Sequence, residues 1–129
     1  MSEAPESRTT ATVTGQAWPA AVGAVLAALS IGLSAYAAHG VADSQARSSL
    51  QTACLYAFGH GLALAALWPR AATRLARVAL CALLLGTLLF AGSLVGGALA
   101  GWTTRLAPSG GMLMMAGWLA WAVSVLRRG

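Results

Sequence analysis

Lysine and acidic residues are almost missing from this sequence, and their scarcity limits the class of protein that it can encode. No lysine occurs, the basic residues are eight arginines, and the only acidic residues are Glu3, Glu6 and Asp43. Charged residues make up 9% of the chain and hydrophobic residues 58%, whereas an ordinary globular domain is about 25% charged. This composition excludes such a domain and predicts an integral membrane protein.

The net charge of +5 does not indicate nucleic acid as a partner. Nucleic-acid binding requires a basic face interleaved with side chains that read bases, but the arginines here lie at the ends of apolar runs. Arginine in that position sets the orientation of a membrane protein and attracts anionic headgroups. The expected partners are therefore the lipid bilayer and either a second copy of the chain or another membrane protein.

The apolar runs also lack the groups that catalysis or ion-coupled transport needs. No Asp or Glu lies within them, so the proton-coupled export of small four-helix drug antiporters, which depends on a membrane-embedded carboxylate, has no carrier here. No glycine loop followed by Lys is present to cradle a phosphate, and no nucleophile and base stand at helical spacing. Cys54 and Cys81 fall in apolar runs at different depths, where we expect small hydrophobes and no disulfide. We therefore expect no catalytic residue, metal, cofactor or enzyme activity.

Four apolar runs are each long enough to cross a bilayer, for which roughly 20 residues suffice. Pro19 and Pro108 fall in first turns, where a helix accepts proline, and Pro69 closes the second run. Because the connectors are short, consecutive spans must be antiparallel neighbours. The sequence thus predicts an all-α, integral membrane four-helix bundle with up-down-up-down topology and spans at about 18–38, 48–68, 77–101 and 107–126.

The N-terminal region admits two interpretations. Residues 1–16 are polar and without periodicity, which predicts a disordered cytoplasmic tail before a four-span transmembrane domain of residues 17–129. Arg8, the first apolar run and Ala35-Tyr36-Ala37 also resemble a signal peptide with a small-residue cleavage site. The run is longer than the about 7 to 15 residues of a signal-peptide core, which favours a retained span.

Arginine counts on the two sides of the membrane predict the orientation. With four spans, the N-terminal tail, the second connector and the C-terminal tail share one side, which holds six arginines, while the other side holds Arg47 and Arg105. By the positive-inside rule both termini are cytoplasmic, and the tryptophans near the span ends fit aromatic belts. The expected location is the bacterial inner membrane.

The third run is rich in small residues spaced four apart. Such pairs expose backbone on one helix face, where another helix can approach closely and gain dispersion contacts. The predicted helix-packing residues are Gly92, Ser93, Gly96, Gly97 and Gly101. A stripe in the first run is the candidate to face them, and it consists of Ala20, Ala24, Ala28 and Gly32.

Few polar residues within or beside the spans can do more than pack, and the candidate binding residues are His39, Gln51, Tyr56 and His60. An ionisable group within a span is costly, so His60 is a functional candidate by default. The alternative is a neutral imidazole that hydrogen-bonds a neighbouring helix and fixes the register of the bundle. Thr52, Tyr56 and His60 share a helix face, which predicts either a polar seam against Ser30 or Ser34, or a small hydrated cleft in the outer half of the second helix.

Depth disfavours a metal shared by the two histidines. If the second span begins near Ser48, His60 lies about 18 Å below that end, whereas His39 sits close to the same membrane face. Metal–imidazole bonds are only about 2 Å long, so one subunit cannot bring both rings to one ion. His39 and Asp43 are spaced to pair at the outer interface beside Arg105, but capping of the connector is the commoner explanation.

Four stretches, taken in order, resemble one family. They are AYAAHG at 35–40, LQTACLYAFGHGLAL at 50–64, LLFAGSL at 88–94 and APSGGMLMMAGW at 107–118. Together they resemble the small bacterial membrane proteins of domain-of-unknown-function family 423, which are related to the transmembrane protein 256-like proteins. The resemblance places the family's characteristic histidines and tyrosine on His39, His60 and Tyr56, and it departs from the family pattern at Ala57 and Gly59. It implies a four-helix inner-membrane protein and no established reaction or ligand.

The sequence favours a non-enzymatic scaffold or accessory subunit whose glycine-rich groove packs helices. The alternative is a small transporter or sensor with a polar intramembrane pocket around His60, Tyr56 and Gln51. A membrane enzyme or cofactor carrier that uses both histidines is the third and least supported hypothesis.

Overall fold

The computed structural model describes residues 17–129, which form four long helices. These are α1 (Trp18–Gly40), α2 (Ser44–Leu67), α3 (Arg74–Ala100) and α4 (Leu106–Leu126), with one 3-10 turn, Trp68–Arg70, after α2. No strand occurs in this range, and each helix is long and apolar enough to cross a membrane. The predicted all-α, four-span architecture is confirmed. The predicted disordered tail, residues 1–16, lies outside the described residues.

Capping side chains explain why two helices begin earlier than predicted. The Asp43 carboxylate accepts a hydrogen bond from the N–H of Ala46 at 2.7 Å, so α2 begins four residues before residue 48. The Thr73 hydroxyl accepts from the N–H of Ala76 at 3.1 Å, so α3 begins three residues before residue 77. These first turns are polar, so a search for apolar residues does not find them. They are helical because the N-cap side chain accepts a hydrogen bond from a backbone N–H that has no partner within the helix.

Each helix packs mainly on its neighbour in sequence, α1 on α2, α2 on α3 and α3 on α4. We call the end at which α1 and α3 begin, and α2 and α4 finish, the arginine-bearing end. The larger core cluster lies toward that end and contains the fully buried Leu64, Leu80 and Leu83. A smaller cluster of Ala53, Ala57 and Ala91 lies toward the opposite end. The buried side chains therefore become smaller along the bundle, from leucines near the arginine-bearing end to alanines near the opposite end.

The small-residue stripe of α1 does not pack on α3. Ala24, Ala28 and Gly32 are exposed, whereas Gly23 and Ala27, one position earlier in each turn, are buried. A shift of one residue rotates the buried face by about 100°, so the small-residue stripe lies beside the face of α1 that packs and makes no close contact with α3. The buried face of α1 packs on α2.

Glycines set the close approaches at two helix crossings, that of α1 with α2 and that of α3 with α4. A Cβ at Gly23 would lie 2.5 Å from the carbonyl oxygen of Gly61, which fixes the crossing of α1 and α2. A Cβ at Gly110 would lie 2.5 Å from the backbone nitrogen of Phe90, and one at Gly86 would lie 2.8 Å from the Gly110 oxygen. Gly117 likewise faces the side chain of Leu83. Absent side chains therefore let backbone meet backbone at both crossings.

Candidate functional site

His60 is hydrogen-bonded through both ring nitrogens. Its Nδ1 lies 2.8 Å from the carbonyl oxygen of Tyr56, one turn earlier in α2, and its Nε2 lies 3.1 Å from Nε1 of Trp118 in α4. A carbonyl oxygen only accepts and an indole N–H only donates, so Nδ1–H donates to Tyr56 and Nε2 accepts from Trp118. This pattern requires the neutral imidazole and occupies both nitrogens. It is the geometry of a histidine that joins two helices.

Aromatic rings surround this hydrogen bond on three helices. The Tyr56 ring stacks on His60 with centroids 6.0 Å apart and packs against Phe90 of α3 at 4.8 Å. The Trp118 ring lies 6.0 Å from the imidazole. We call Tyr56, His60, Phe90 and Trp118 the aromatic cluster. It ties α2 to both α3 and α4.

The polar face of α2 therefore meets aromatic rings and not the serines of α1. The Ser30 hydroxyl donates a hydrogen bond to the carbonyl oxygen of Leu26 at 2.7 Å, as its position in a membrane helix predicts. The predicted seam between this face of α2 and Ser30 or Ser34 does not form. The reason is that α1 packs on the α2 face carrying Gly61, whereas Tyr56 and His60 are contacted by Phe90 of α3 and Trp118 of α4.

Sequence reasoning missed Trp118 as the partner of His60, although a depth signal was present. His60 lies seven residues before the end of α2 and Trp118 eight residues before the end of α4, which places them about 10 and 12 Å from the arginine-bearing end. Helices α2 and α4 run in the same direction, so the two side chains sit at matching depth. The prediction that His60 lies in the outer half of α2 is therefore wrong. It lies in the half of α2 nearer the arginine-bearing end.

Gln51 projects from the opposite side of α2. It precedes His60 by nine residues, a rotation of about 180° at 100° per residue. The Gln51 side chain lines a groove of about 480 Å³ between α1 and α2, together with Ser30, Ser34 and Phe58. The polar pocket predicted around His60, Tyr56 and Gln51 is thus divided between two faces of one helix.

His39 and Asp43 both lie at the end of the bundle opposite the arginine-bearing end. His39 is exposed in the last turn of α1, and the Asp43 carboxylate caps α2. No hydrogen bond or ion pair joins His39, Asp43 and Arg105 in the part of the chain that the structure describes. The capping role anticipated for Asp43 is confirmed.

The predicted packing glycines at the end of α3 are covered by the chain's own connector. A Cβ at Gly96 would collide with the Trp102 ring, and a Cβ at Gly97 would approach Cγ2 of Thr104 to 2.8 Å. The N–H of Trp102 donates to the Gly96 carbonyl at 3.2 Å. Gly101 allows this reversal because its φ of +68° lies in the left-handed region. Gly96 and Gly97 therefore pack against the connector that follows α3, whereas the sequence predicted that another helix would pack there.

Gly92 and Ser93 are placed differently from one another. A Cβ at Gly92 would meet nothing within 4 Å, and the residue is exposed. Ser93 is buried, and among the described residues its Oγ has no hydrogen-bond partner. Adjacent residues of one predicted stripe therefore face the outside and the inside of the bundle.

Gly92 belongs to a groove of about 650 Å³ with α1 and α3 as walls and α2 as its floor. The floor is formed by Ala53, Cys54 and Ala57. Gly32 of α1 and Gly92 of α3 lie on facing walls, and neither would bring a Cβ within 4 Å of another atom. We call this surface the open groove. At these two glycines the described chain leaves the groove walls without side chains.

The site offers structural hydrogen bonds and apolar surface rather than a set of reactive groups. Residues 17–129 contain no group of three or more His, Cys, Asp or Glu side chains placed to hold a metal ion. No curated protein and no solved structure matches the chain. A family model described as "Protein of unknown function (DUF423)" matches residues 33–111, which run from the middle of α1 to the first turns of α4. The match covers more than half of the sequence, and the chain therefore belongs to the DUF423 family.

Proposed function

We propose that this protein is a non-enzymatic scaffold or accessory subunit of the bacterial inner membrane, and that it assembles through the open groove. The observation that carries the proposal is the pair of glycines on facing walls, Gly32 and Gly92, which expose backbone that no part of residues 17–129 covers. Inside the bundle the same device is used wherever two helices cross closely, as at Gly23 with Gly61. Small residues favour such crossings in a bilayer because lipid cannot supply equivalent dispersion contacts.

The occupant that we propose is α1 of a second copy of the chain. Ala24, Ala28 and Gly32 form an exposed stripe at four-residue spacing on α1, and Ala28 and Gly32 are also part of the groove wall. A two-fold axis along this wall would set two α1 stripes against each other, and such a contact is self-complementary. The chain thus carries both halves of the contact. Other transmembrane helices are alternatives that the experiment below distinguishes.

The orientation within the membrane is part of the same proposal. Five of the six arginines assigned to the cytoplasmic side lie at one end of the described bundle, and Arg47 and Arg105 lie at the other. Trp18 and Trp68 pack together at the arginine-bearing end with ring centroids 6.5 Å apart, as expected of an interfacial belt. This asymmetry supports cytoplasmic termini.

The proposal is tested by filling the groove without disturbing the fold. A photo-crosslinking residue at position 28 in native membranes should yield a crosslinked dimer. The double variant Gly32→Leu and Gly92→Leu should reduce that product at least about tenfold, because the new side chains occupy the groove but meet no atom of their own chain within 4 Å at Cβ. Gly59→Leu is the matched control, since Gly59 is equally open and lies outside the groove lining.

Three results would count against the proposal. Crosslinks from position 28 to lipid alone would remove the scaffold role, and a crosslink to a different membrane protein would retain it while excluding the second copy. An equal loss of dimer in the Gly59→Leu control would show that added bulk elsewhere on the surface of the bundle also weakens association. The groove would then have no special role.

The transporter or sensor alternative receives no comparable support. It requires His60, Tyr56 and Gln51 around one pocket, whereas Gln51 lies on the other side of α2 from His60. Both nitrogens of His60 are also engaged, one by Tyr56 and one by Trp118. The scaffold proposal is therefore the one that we carry forward.

A further inference from the structure

Five arginines from three segments gather at the arginine-bearing end. They are Arg70 in the turn after α2, Arg74 and Arg77 in the first turn of α3, and Arg127 and Arg128 after α4. All five are exposed. We call them the arginine face.

Backbone hydrogen bonds hold three of these side chains close to one connector. Nη1 of Arg128 donates to the carbonyl oxygen of Arg70 at 3.0 Å, and Nε of Arg77 donates to that of Ala71 at 3.1 Å. The two acceptors belong to adjacent residues, so guanidinium groups from α3 and from the end of α4 meet at neighbouring peptides. Arg70 itself donates to the carbonyl oxygen of Ala66 at 2.6 Å. Hydrogen bonds to uncharged backbone carbonyl groups therefore hold several positively charged guanidinium groups near one another.

Carboxylates do not offset these charges in the described part of the chain. Asp43 is the only Asp or Glu among residues 17–129, and it caps α2 at the opposite end. No ion pair involves any of the five arginines within that range. Within residues 17–129, the positive charge of the arginine face is left for an external anion.

We propose that the arginine face binds the phosphate groups of anionic phospholipids and holds two phosphodiester charges at once. Guanidinium forks match phosphate oxygens in geometry and bind them through charge-assisted hydrogen bonds, and each fork keeps free N–H donors after its single backbone bond. A phosphodiester carries one negative charge, so one such group leaves most of the five arginines unpaired. Two phosphates fit the charge better.

The depth of the arginine face selects a lipid over a soluble phosphate compound. The Trp18 and Trp68 rings pack together at this end, and the Arg128 guanidinium lies 6.0 Å from the centre of the Trp121 ring. Tryptophan in this position marks the level of the headgroups. The inference is independent of the open groove, which lies in the middle and opposite half of the bundle.

The test measures lipid binding to the purified full-length protein by native mass spectrometry in a neutral detergent. Three lipids are compared: cardiolipin with two phosphodiesters, phosphatidylglycerol with one, and zwitterionic phosphatidylcholine. Cardiolipin should bind most tightly and phosphatidylcholine most weakly, and added salt should weaken the anionic lipids. Equal affinity for cardiolipin and phosphatidylglycerol would overturn the claim of two phosphates, and equal affinity for all three would overturn the site.

Charge-matched variants locate the site. Arg74→Gln with Arg127→Gln should weaken cardiolipin binding about 25-fold, from about fivefold for each charge removed near a membrane surface. Neither side chain makes a hydrogen bond in the described residues, so the fold is preserved. Arg47→Gln with Arg105→Gln removes the same charge from the opposite end and should leave binding unchanged. Equal losses in both double variants would show a non-specific charge effect and contradict the proposal.

Inorganic phosphate distinguishes the two sources of the anion. Millimolar phosphate should not displace cardiolipin from the wild-type protein beyond the effect of sodium chloride at the same ionic strength. Displacement by phosphate alone would assign the arginine face to a soluble anion and overturn the lipid assignment.

Discussion

The contact between α3 and α4 and the open groove between α1 and α3 both depend on glycine, yet only the first is covered by the chain itself. At Gly86 and Gly110 backbone faces backbone, and any Cβ would collide with it. At Gly32 and Gly92 the backbone faces outward, and a Cβ would meet nothing within 4 Å. The difference shows that a small residue permits a close approach but does not specify one. The crossing point of the helices decides which glycines are used.

The largest effect is expected at the closed contact. Gly110→Ala should lower the free energy of unfolding by about 3 kcal/mol, since its Cβ would lie 2.5 Å from the Phe90 nitrogen and 2.7 Å from the Gly86 oxygen. Backbone atoms at a helix crossing cannot move aside as a flexible side chain can. The measurement is the thermal midpoint of monodisperse protein in detergent. Gly111→Ala is the control, because its nearest contact is the Phe90 ring at 4.0 Å, and equal midpoints for the two variants would contradict the close approach.

A smaller loss is expected where the connector closes over the end of α3. Gly101→Ala should cost about 1–2 kcal/mol, because alanine is strained at a φ of +68°. Gly101→Asn should lose less, since asparagine tolerates the left-handed region. Both are compared by the same thermal midpoint. An alanine variant as stable as the asparagine variant would mean that α3 does not end in this conformation.

The link between α2 and α4 is expected to contribute about 1 kcal/mol. His60→Leu should still insert and fold, but it removes the acceptor for the Trp118 indole, and hydrogen bonds between membrane helices are worth roughly 0.6 to 1.7 kcal/mol. A double-mutant cycle with Trp118→Phe isolates the pair. A coupling energy near zero would show that the aromatic cluster is held by ring packing alone.

The smallest effect on folding is expected in the open groove. Gly32→Ala and Gly92→Ala should each change the free energy of unfolding by no more than about 0.5 kcal/mol, because their Cβ atoms contact nothing in the chain. The thermal midpoint of Gly92→Ala against that of Gly110→Ala is the sharpest form of the comparison. A large loss at Gly92 would mean that the groove is closed in the folded protein.

Much of the architecture could be predicted because each prediction depended on local chemistry. Four apolar runs, two of them with proline in the first turn, predicted the spans to within about four residues. The errors at the starts of α2 and α3 arose from the polar caps Asp43 and Thr73, which hydrophobicity does not register. The family resemblance, drawn from motifs between residues 35 and 118, agrees with the family match over residues 33–111.

The site could be predicted only in part. The sequence singled out His60 as the costly group within a span, but its partner Trp118 is 58 positions away, and only the depths of both residues connect them. The small-residue stripe of α3 could be recognised in the sequence. The sequence did not show that Gly96 and Gly97 contact the connector, that Ser93 is buried, or that Gly92 lines the open groove. Such a division depends on helix rotation, which no single run of residues specifies.

By itself the sequence determined the number of membrane-spanning helices, their bounds to within about four residues, and the end at which the guanidinium groups collect. These properties follow from hydrophobicity, capping and charge, which act within a few residues. Only the tertiary structure decided that Gly23, Gly61, Gly86 and Gly110 are the crossing points, that His60 meets Trp118, and that Gly92 faces outward. The physical reason is that packing fixes the rotation of each helix about its axis, and a turn of about 100° exchanges one face for another.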